Sequence, residues 1–382
     1  MNLKLPFDVE PLVYTKDHLN RVLSDCAERG VSDLIFASGN PVSYKYHGLA
    51  QRVGSRLLTE DEMRSLMNSI SSNGGSAVLS GRDYDFRYEV IRPNRGGYYR
   101  FRVNITQTLT GASAIFRSIS DQPLPVEKLN VEPELLRALI NVKKGLVLVT
   151  GPTGSGKTTL LSSVLRERLL HEHIHLVTFE SPIEYVYHEI KGLKGVVSQT
   201  EIPSHIESFA NAVRGSLRRA PDVVLVGEAR DRETISGMVN EVRTGHAVYS
   251  TTHTESVAGT IDRVVNEFPP EESLRAKMAI TDSLQLVVHQ RLVAKKGGGR
   301  VPLKEWLEFN TEIRDKVHEI PIQRLAQGVQ EIVMQYGQPM QKSAVSAYQR
   351  GLIEKNTLIE VLYSIGVRDV SFVNDLIVEE AT

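Results

Sequence analysis

The nine residues from Gly151 to Thr159, GPTGSGKTT, constrain this chain more than any other stretch. Gly151, Gly156, Lys157 and Thr158 satisfy G-x-x-x-x-G-K-[ST], with the apolar run LVLVT before them and a helical pattern, TTLLSSVL, after. Glycines let the backbone curl until several N–H groups face one point, and the helix opening there adds positive potential. The segment formed by Gly151, Pro152, Thr153, Gly154, Ser155, Gly156, Lys157, Thr158 and Thr159 therefore reads as a cradle for nucleotide phosphates. Lys157 would bridge the β- and γ-phosphates, and Thr158 would offer its hydroxyl to Mg2+.

The surroundings of this loop set the fold class. GLVLVT, HLVTFE, DVVLVG and HAVYSTT are apolar strands separated by helical stretches, the texture of a mainly parallel sheet covered on both faces. Residues 134–310 are thus expected to form an α/β core. Before residue 118 the patterns are shorter and alternate: SDLIFASG, PVSYKYHG, DYDFRYEVIR, YYRFRVNITQ and SAIFRSIS, with NRGG (94–97) as a turn. Helical patterns cover about Asp17 to Glu28 and Glu60 to Ile70, the second opened by Thr59 with Glu62 as a capping box. Residues 1–120 read as a smaller α+β domain. The segment 121–133, DQPLPVEKLNVEP, has three prolines and no period, so it reads as a linker. KKGGGR would close a hairpin, and 311–382 is helical in pattern, including Ser343 to Gln349 and Ile353 to Ser364. A chain of 382 residues has room for these parts.

Charge and composition narrow the partners. With 45 Lys plus Arg against 46 Asp plus Glu, no global basic field exists, which disfavours nucleic acid. The lone Cys26 excludes a disulfide framework and fits a small apolar position in a reducing compartment. MNLKLPFDVEPLV has neither a basic start nor an apolar stretch, so no signal peptide is expected. No run approaches the roughly 18–20 apolar residues of a membrane span, so membrane contact would come through partners.

The acids downstream of the loop decide what the nucleotide does. In APDVVLVGEARD an apolar strand ends at Gly227 and Glu228, where a carboxylate could hold Mg2+ through water and activate the attacking water. Asp222, before that strand, reads as a turn residue. HLVTFESPIEYVY places Glu180 and Glu184 just past another strand, toward the crevice where open α/β sheets bind ligands. TGHAVYSTTHT puts His246 and His253 at opposite ends of a strand; His253 could donate to the γ-phosphate and His246 could order the region. HEHIH (171–175) lacks further ligands and reads as solvated loop, while Arg214, Arg218 and Arg219 form a stripe facing phosphate, a neighbouring subunit or solvent.

GPTGSGKTT, FESPIE, LVGEARD and TGHAVYSTTHT, in that order, resemble the phosphate loop, acidic box, glutamate motif and histidine box of the type II/IV secretion ATPase superfamily, in its twitching-motility PilT branch. SDLIFASGNP, YYRFRVNI and AIFRSI are similar to that branch's N-terminal PAS-like domain, and TEIRDKV to its C-terminal helical part. The ESPIEYVY wording and the lack of a four-cysteine insert are most similar to the DotB-like and TraJ-like members of type IVB secretion and plasmid conjugation. The resemblance implies a RecA-like ATP-hydrolysing core and a homohexameric ring that powers an inner-membrane secretion or conjugation apparatus from the cytoplasmic side. A pilus-retraction motor is the alternative, and a nucleic-acid translocase a third reading. It further implies that Arg102 and Arg117, with Arg100 as a third candidate, reach the phosphates bound by the next subunit. Many relatives carry E-D-P-I-E where this chain has Ser181 after Glu180, which leaves Glu180 or Glu184 as the working acid.

Overall fold

The computed structural model describes residues 4–46, 49–71, 83–92, 97–119 and 122–376. These form two units: Met1–Gln122 with Pro182–Val186, and Pro123–Ser181 with Tyr187–Thr382. No helix among the described residues is long and apolar enough to cross a membrane.

The first unit runs α1 (Lys16–Arg29), β1 (Asp33–Ala37), β2 (Ser43–Tyr46), β3 (Leu49–Arg52), α2 (Glu60–Ile70), β4 (Tyr84–Ile91), β5 (Tyr98–Thr108) and β6 (Gly111–Ile119). Its antiparallel sheet has the order β3-β2-β1-β6-β5-β4. One face packs Phe36, Tyr44, Phe101, Val103 and Phe116 against Leu19, Val22, Leu23 and Cys26 of α1. Thr59 caps α2 by accepting from the Glu62 N–H at 3.2 Å, as expected. The other half of the box is diverted, because the Glu62 carboxylate accepts from the Tyr14 N–H and from Arg56 instead. The full capping box sits on α1, between Thr15 and His18. Asn94 to Gly96 of the NRGG turn, His47, Gly48, Ser120 and Asp121 lie outside the described residues.

The second unit runs α3 (Pro133–Ile140), β7 (Gly145–Thr150), α4 (Lys157–His171), β8 (His175–Glu180), β9 (Val196–Glu201), α5 (Phe209–Ser216), β10 (Val223–Val226), α6 (Arg232–Arg243) and β11 (Ala247–Thr252). It continues with α7 (Val257–Asn266), α8 (Pro270–Ser283), β12 (Leu284–Ala294), β13 (Arg300–Glu308), α9 (Thr311–Glu319), α10 (Leu325–Tyr336), α11 (Met340–Gln349) and α12 (Lys355–Ser364). The sheet order is β13-β12-β7-β11-β10-β8-β9, parallel except for β13, which pairs antiparallel with β12. Every residue of β7 and β11 is buried, which is why these strands read as unbroken apolar runs. One face of the sheet is covered by α3 and α4, the other by α5 to α8 with α9 and α10. Met340, Ala344, Ile353 and Leu358 pack on Val293, Val301 and Leu303 of the β12–β13 hairpin. The chain is thus an α/β protein, and its parallel strands deliver the loops after β7, β8, β10 and β11 to one edge.

Candidate active site

The loop after β7 is shaped by how close other backbone comes. Gly151 has φ 145°, and a Cβ there would lie 2.1 Å from the Gln290 carbonyl oxygen on β12. Gly154 and Gly156 have φ 77° and 86°, in the left-handed region that glycine adopts without strain. The Gln290 amide donates to the Ser155 carbonyl at 2.7 Å, so β12 backs the loop as well as crowding it. A Gly151→Ala protein is expected to lose about 3 kcal/mol of stability, the overpacking range, together with ATP binding. Thermal unfolding and ATP titration check this, and normal binding would show that the loop tolerates displacement.

Gly156 caps α4 and makes no side-chain hydrogen bond to it, and a helix N-terminus of this kind favours an anion. Lys157 is 7% exposed, and its Nζ donates to the carbonyls of Gly151 at 2.7 Å and Pro152 at 3.1 Å. Thr158 and Thr159, half-buried, follow in the same turn.

Glu228 stands just past β10, in a turn held on both sides. The Gly227 N–H donates to the Phe179 carbonyl at 2.7 Å, and the Thr251 hydroxyl to the Gly227 carbonyl at 2.6 Å. A Cβ on Gly227 would stand 3.1 Å from that Phe179 oxygen. The Glu228 carboxylate meets Arg230 at 2.7 Å and the His253 Nε2 at 3.6 Å. His253 Nδ1 lies 3.5 Å from Lys157 Nζ. An ammonium only donates, so Nδ1 is the acceptor and the ring proton sits on Nε2, toward Glu228. Burial first, and then the Lys157 charge, hold His253 below the ordinary histidine range, so the ring is neutral near pH 7.

Glu180 ends β8, 5% exposed, and accepts from Thr178 Oγ1 at 2.7 Å and Gln199 Nε2 at 3.3 Å. Among the described residues no group of three or more His, Cys, Asp or Glu is arranged to hold a metal. The oxygen donors at this edge, Thr158, Glu228 and Glu180, suit a hard cation held by one or two protein oxygens with phosphate and water completing the shell, which fits Mg2+.

Not every expected residue joins this edge. His246 precedes β11, whose register sets Ala247 beside Gly145 and Thr252 beside Thr150, so it lies at the opposite end of the sheet from His253. There its Nδ1 faces the Glu241 carbonyl at 3.1 Å and the Glu241 carboxylate at 3.4 Å. Glu184, half-buried, falls in the segment that groups with the first unit. Within that unit Arg102 and Arg117 are cross-strand partners; Arg117 pairs with Asp33 at 2.7 Å and Arg102 with Asp85 at 3.7 Å. Arg100 is buried against Glu89. Asp222 accepts from the His175 N–H at 2.7 Å, the turn role expected of it. Arg219 donates to Thr200 at 2.8 Å and lies over the Phe179 ring, whereas Arg214 stays exposed near Glu233.

Sequence reading missed the residues that steady the histidine loop. Arg263 donates to the His253 carbonyl at 2.9 Å, and Thr254 shares hydroxyl contacts with Thr150 at 2.5 Å and Thr260 at 2.6 Å. Gln290 was missed too, although a polar residue inside an apolar strand was a usable signal.

The model of the family described as Type II/IV secretion system protein matches residues 19–345. The type IV pilus retractation ATPase PilT of Pseudomonas aeruginosa is 37% identical over 313 residues, covering 82% of this chain and 88% of that protein. The X-ray structure of the Legionella pneumophila ATPase DotB superposes with TM-score 0.81 at 36% identity, covering 95% of this chain and 100% of that one. The pilus retraction motor PilT, solved with bound ADP, gives TM-score 0.77 at 32% identity over 90% of this chain and 96% of that one. With the phosphate loop, Glu228 and His253 gathered at one edge of a RecA-like core, the chain belongs to the Type II/IV secretion system protein family and is an ATP-hydrolysing enzyme.

Proposed function

We propose that this chain is the motor of a type IVB-type secretion or conjugation apparatus, acting as a homohexamer on the cytoplasmic side of the inner membrane and held there by apparatus proteins. The overlap with DotB along nearly the whole chain carries this reading. A pilus-retraction motor is the second reading, favoured by the identity to PilT. The two share their chemistry and differ in the proteins they engage. Division into a PAS-like domain (1–120), linker (121–133), ATPase core (134–310) and helical region (311–382) is part of the proposal.

In this reading ATP seats its phosphates on the N–H groups of Gly151 to Thr159, with the Lys157 ammonium on the β- and γ-oxygens. Glu228 accepts the proton of the attacking water as the bond from the γ-phosphorus to the bridging oxygen breaks, leaving ADP and phosphate. The neutral His253 donates from Nε2 and so registers whether a γ-phosphate is present. Glu180 or Glu184 orders the water, and Arg102 and Arg117 of one subunit meet the phosphates of the next. Thr158 and Glu228 would hold Mg2+, which would neutralise phosphate charge there. Binding that favours one domain arrangement over another converts hydrolysis into movement.

Crosslinking a tagged Glu228→Gln protein in its native host and identifying co-purified membrane proteins by mass spectrometry separates the two readings. Secretion-channel or conjugation proteins support the first, and pilus platform proteins replace it with the second.

A further inference from the structure

One buried carboxylate ties the end of the histidine loop to β13. Glu305, on β13, is 5% exposed, and its Oε1 accepts from the N–H of Val257 at 2.8 Å. Val257 is the first residue of α7, capped by Ser256, only four residues past His253. The N–H of Lys304, the residue before Glu305 on β13, donates to the Ser343 hydroxyl on α11 at 3.0 Å. A cavity of about 660 Å³, lined by Ser256, His289, Glu305, Gln330 and Met340 among others, lies between these helix ends. Apolar packing also joins α7 to the C-terminal helices: Val257, Val264 and Val265 of α7 share one buried cluster with Leu325, Val329 and Val333 of α10.

The histidine loop has further anchors within the core: Thr254 to Thr150 at the root of the phosphate loop, Thr254 to Thr260 on α7, and the His253 carbonyl to Arg263. Glu305 adds a tether from β13, the strand on which α11 packs, to the start of α7. We infer that Glu305 is a positioning residue for ATP hydrolysis, fixing the start of α7 so that His253 keeps its place beside Lys157 and Glu228. This rests on the role proposed for His253.

Glu305→Asp keeps the charge but is one methylene too short to keep the bond to the start of α7, whereas Glu305→Gln keeps the length and one acceptor oxygen. In the full chain, Glu305→Asp is expected to lower kcat about tenfold, the scale of one lost hydrogen bond to a charged group, with little change in KM, and Glu305→Gln to recover most of the loss. The decisive measurement is a double-mutant cycle in kcat with His253→Ala. If Glu305 acts through His253, Glu305→Asp causes no further loss once the histidine is gone. Losses that multiply overturn the inference while leaving His253 in place. Equal loss in the Asp and Gln variants, with a matching drop in thermal stability, also overturns it by showing a merely structural role. A His253→Ala protein with normal kcat removes the histidine's role, and this inference falls with it.

Discussion

A Lys157→Ala protein binds ATP about 100-fold more weakly and releases no measurable phosphate. The affinity follows from losing a charge-assisted contact worth up to about 3 kcal/mol, at 1.4 kcal/mol per tenfold. The loss of turnover follows because the same ammonium stabilises charge that grows on the γ-phosphate as it leaves. Folding gives the control. Lys157 places a cation in the first turn of α4, at the positive end of the helix dipole, where it opposes helix stability. Alanine is the better helix former, so it offsets the lost contacts to Gly151 and Pro152, and stability should stay within about 1 kcal/mol. Isothermal titration and a thermal melt of one preparation check both statements. A residue set against its local preference and 7% exposed makes sense when its partner is an anion.

How much the sequence disclosed depended on whether a signal was local. The apolar strands were legible because β7 and β11 are buried along their whole length, and the phosphate loop because its glycines, lysine and threonine fall at fixed spacing. Two strands escaped. β9, VVSQTE, is an edge strand with exposed and half-buried residues, and β3, LAQR, is an edge strand almost without buried side chains, so neither shows clean alternation. Thr59 announced the start of α2, yet the Glu62 carboxylate went to Tyr14, 48 residues away, which no local pattern records. The same holds at the site. Gln290 meets Ser155 across 135 residues and Thr254 meets Thr150 across 104, contacts that sheet order creates and sequence spacing conceals. His246 and His253 stood at opposite ends of one strand in the sequence, and the parallel register turns that into opposite edges of the sheet.

The second large effect concerns Glu228. Its carboxylate is held by the Gly227 turn between Arg230 and the His253 Nε2, at the edge where Lys157 also lies. Glutamine keeps the side chain's size but does not take up a proton from water, and a positioned general base is worth about 10²–10⁴ in rate. Replacing a carboxylate near the triphosphate also removes a like charge, so ATP affinity should hold or rise. That split between binding and turnover separates a catalytic base from a residue that merely supports the fold. ATP affinity and phosphate release measured side by side on Glu228→Gln are therefore the most direct test. Unchanged or tighter ATP binding with phosphate release lowered at least about 100-fold is the predicted result; undiminished phosphate release would contradict the account and remove Glu228 from the mechanism.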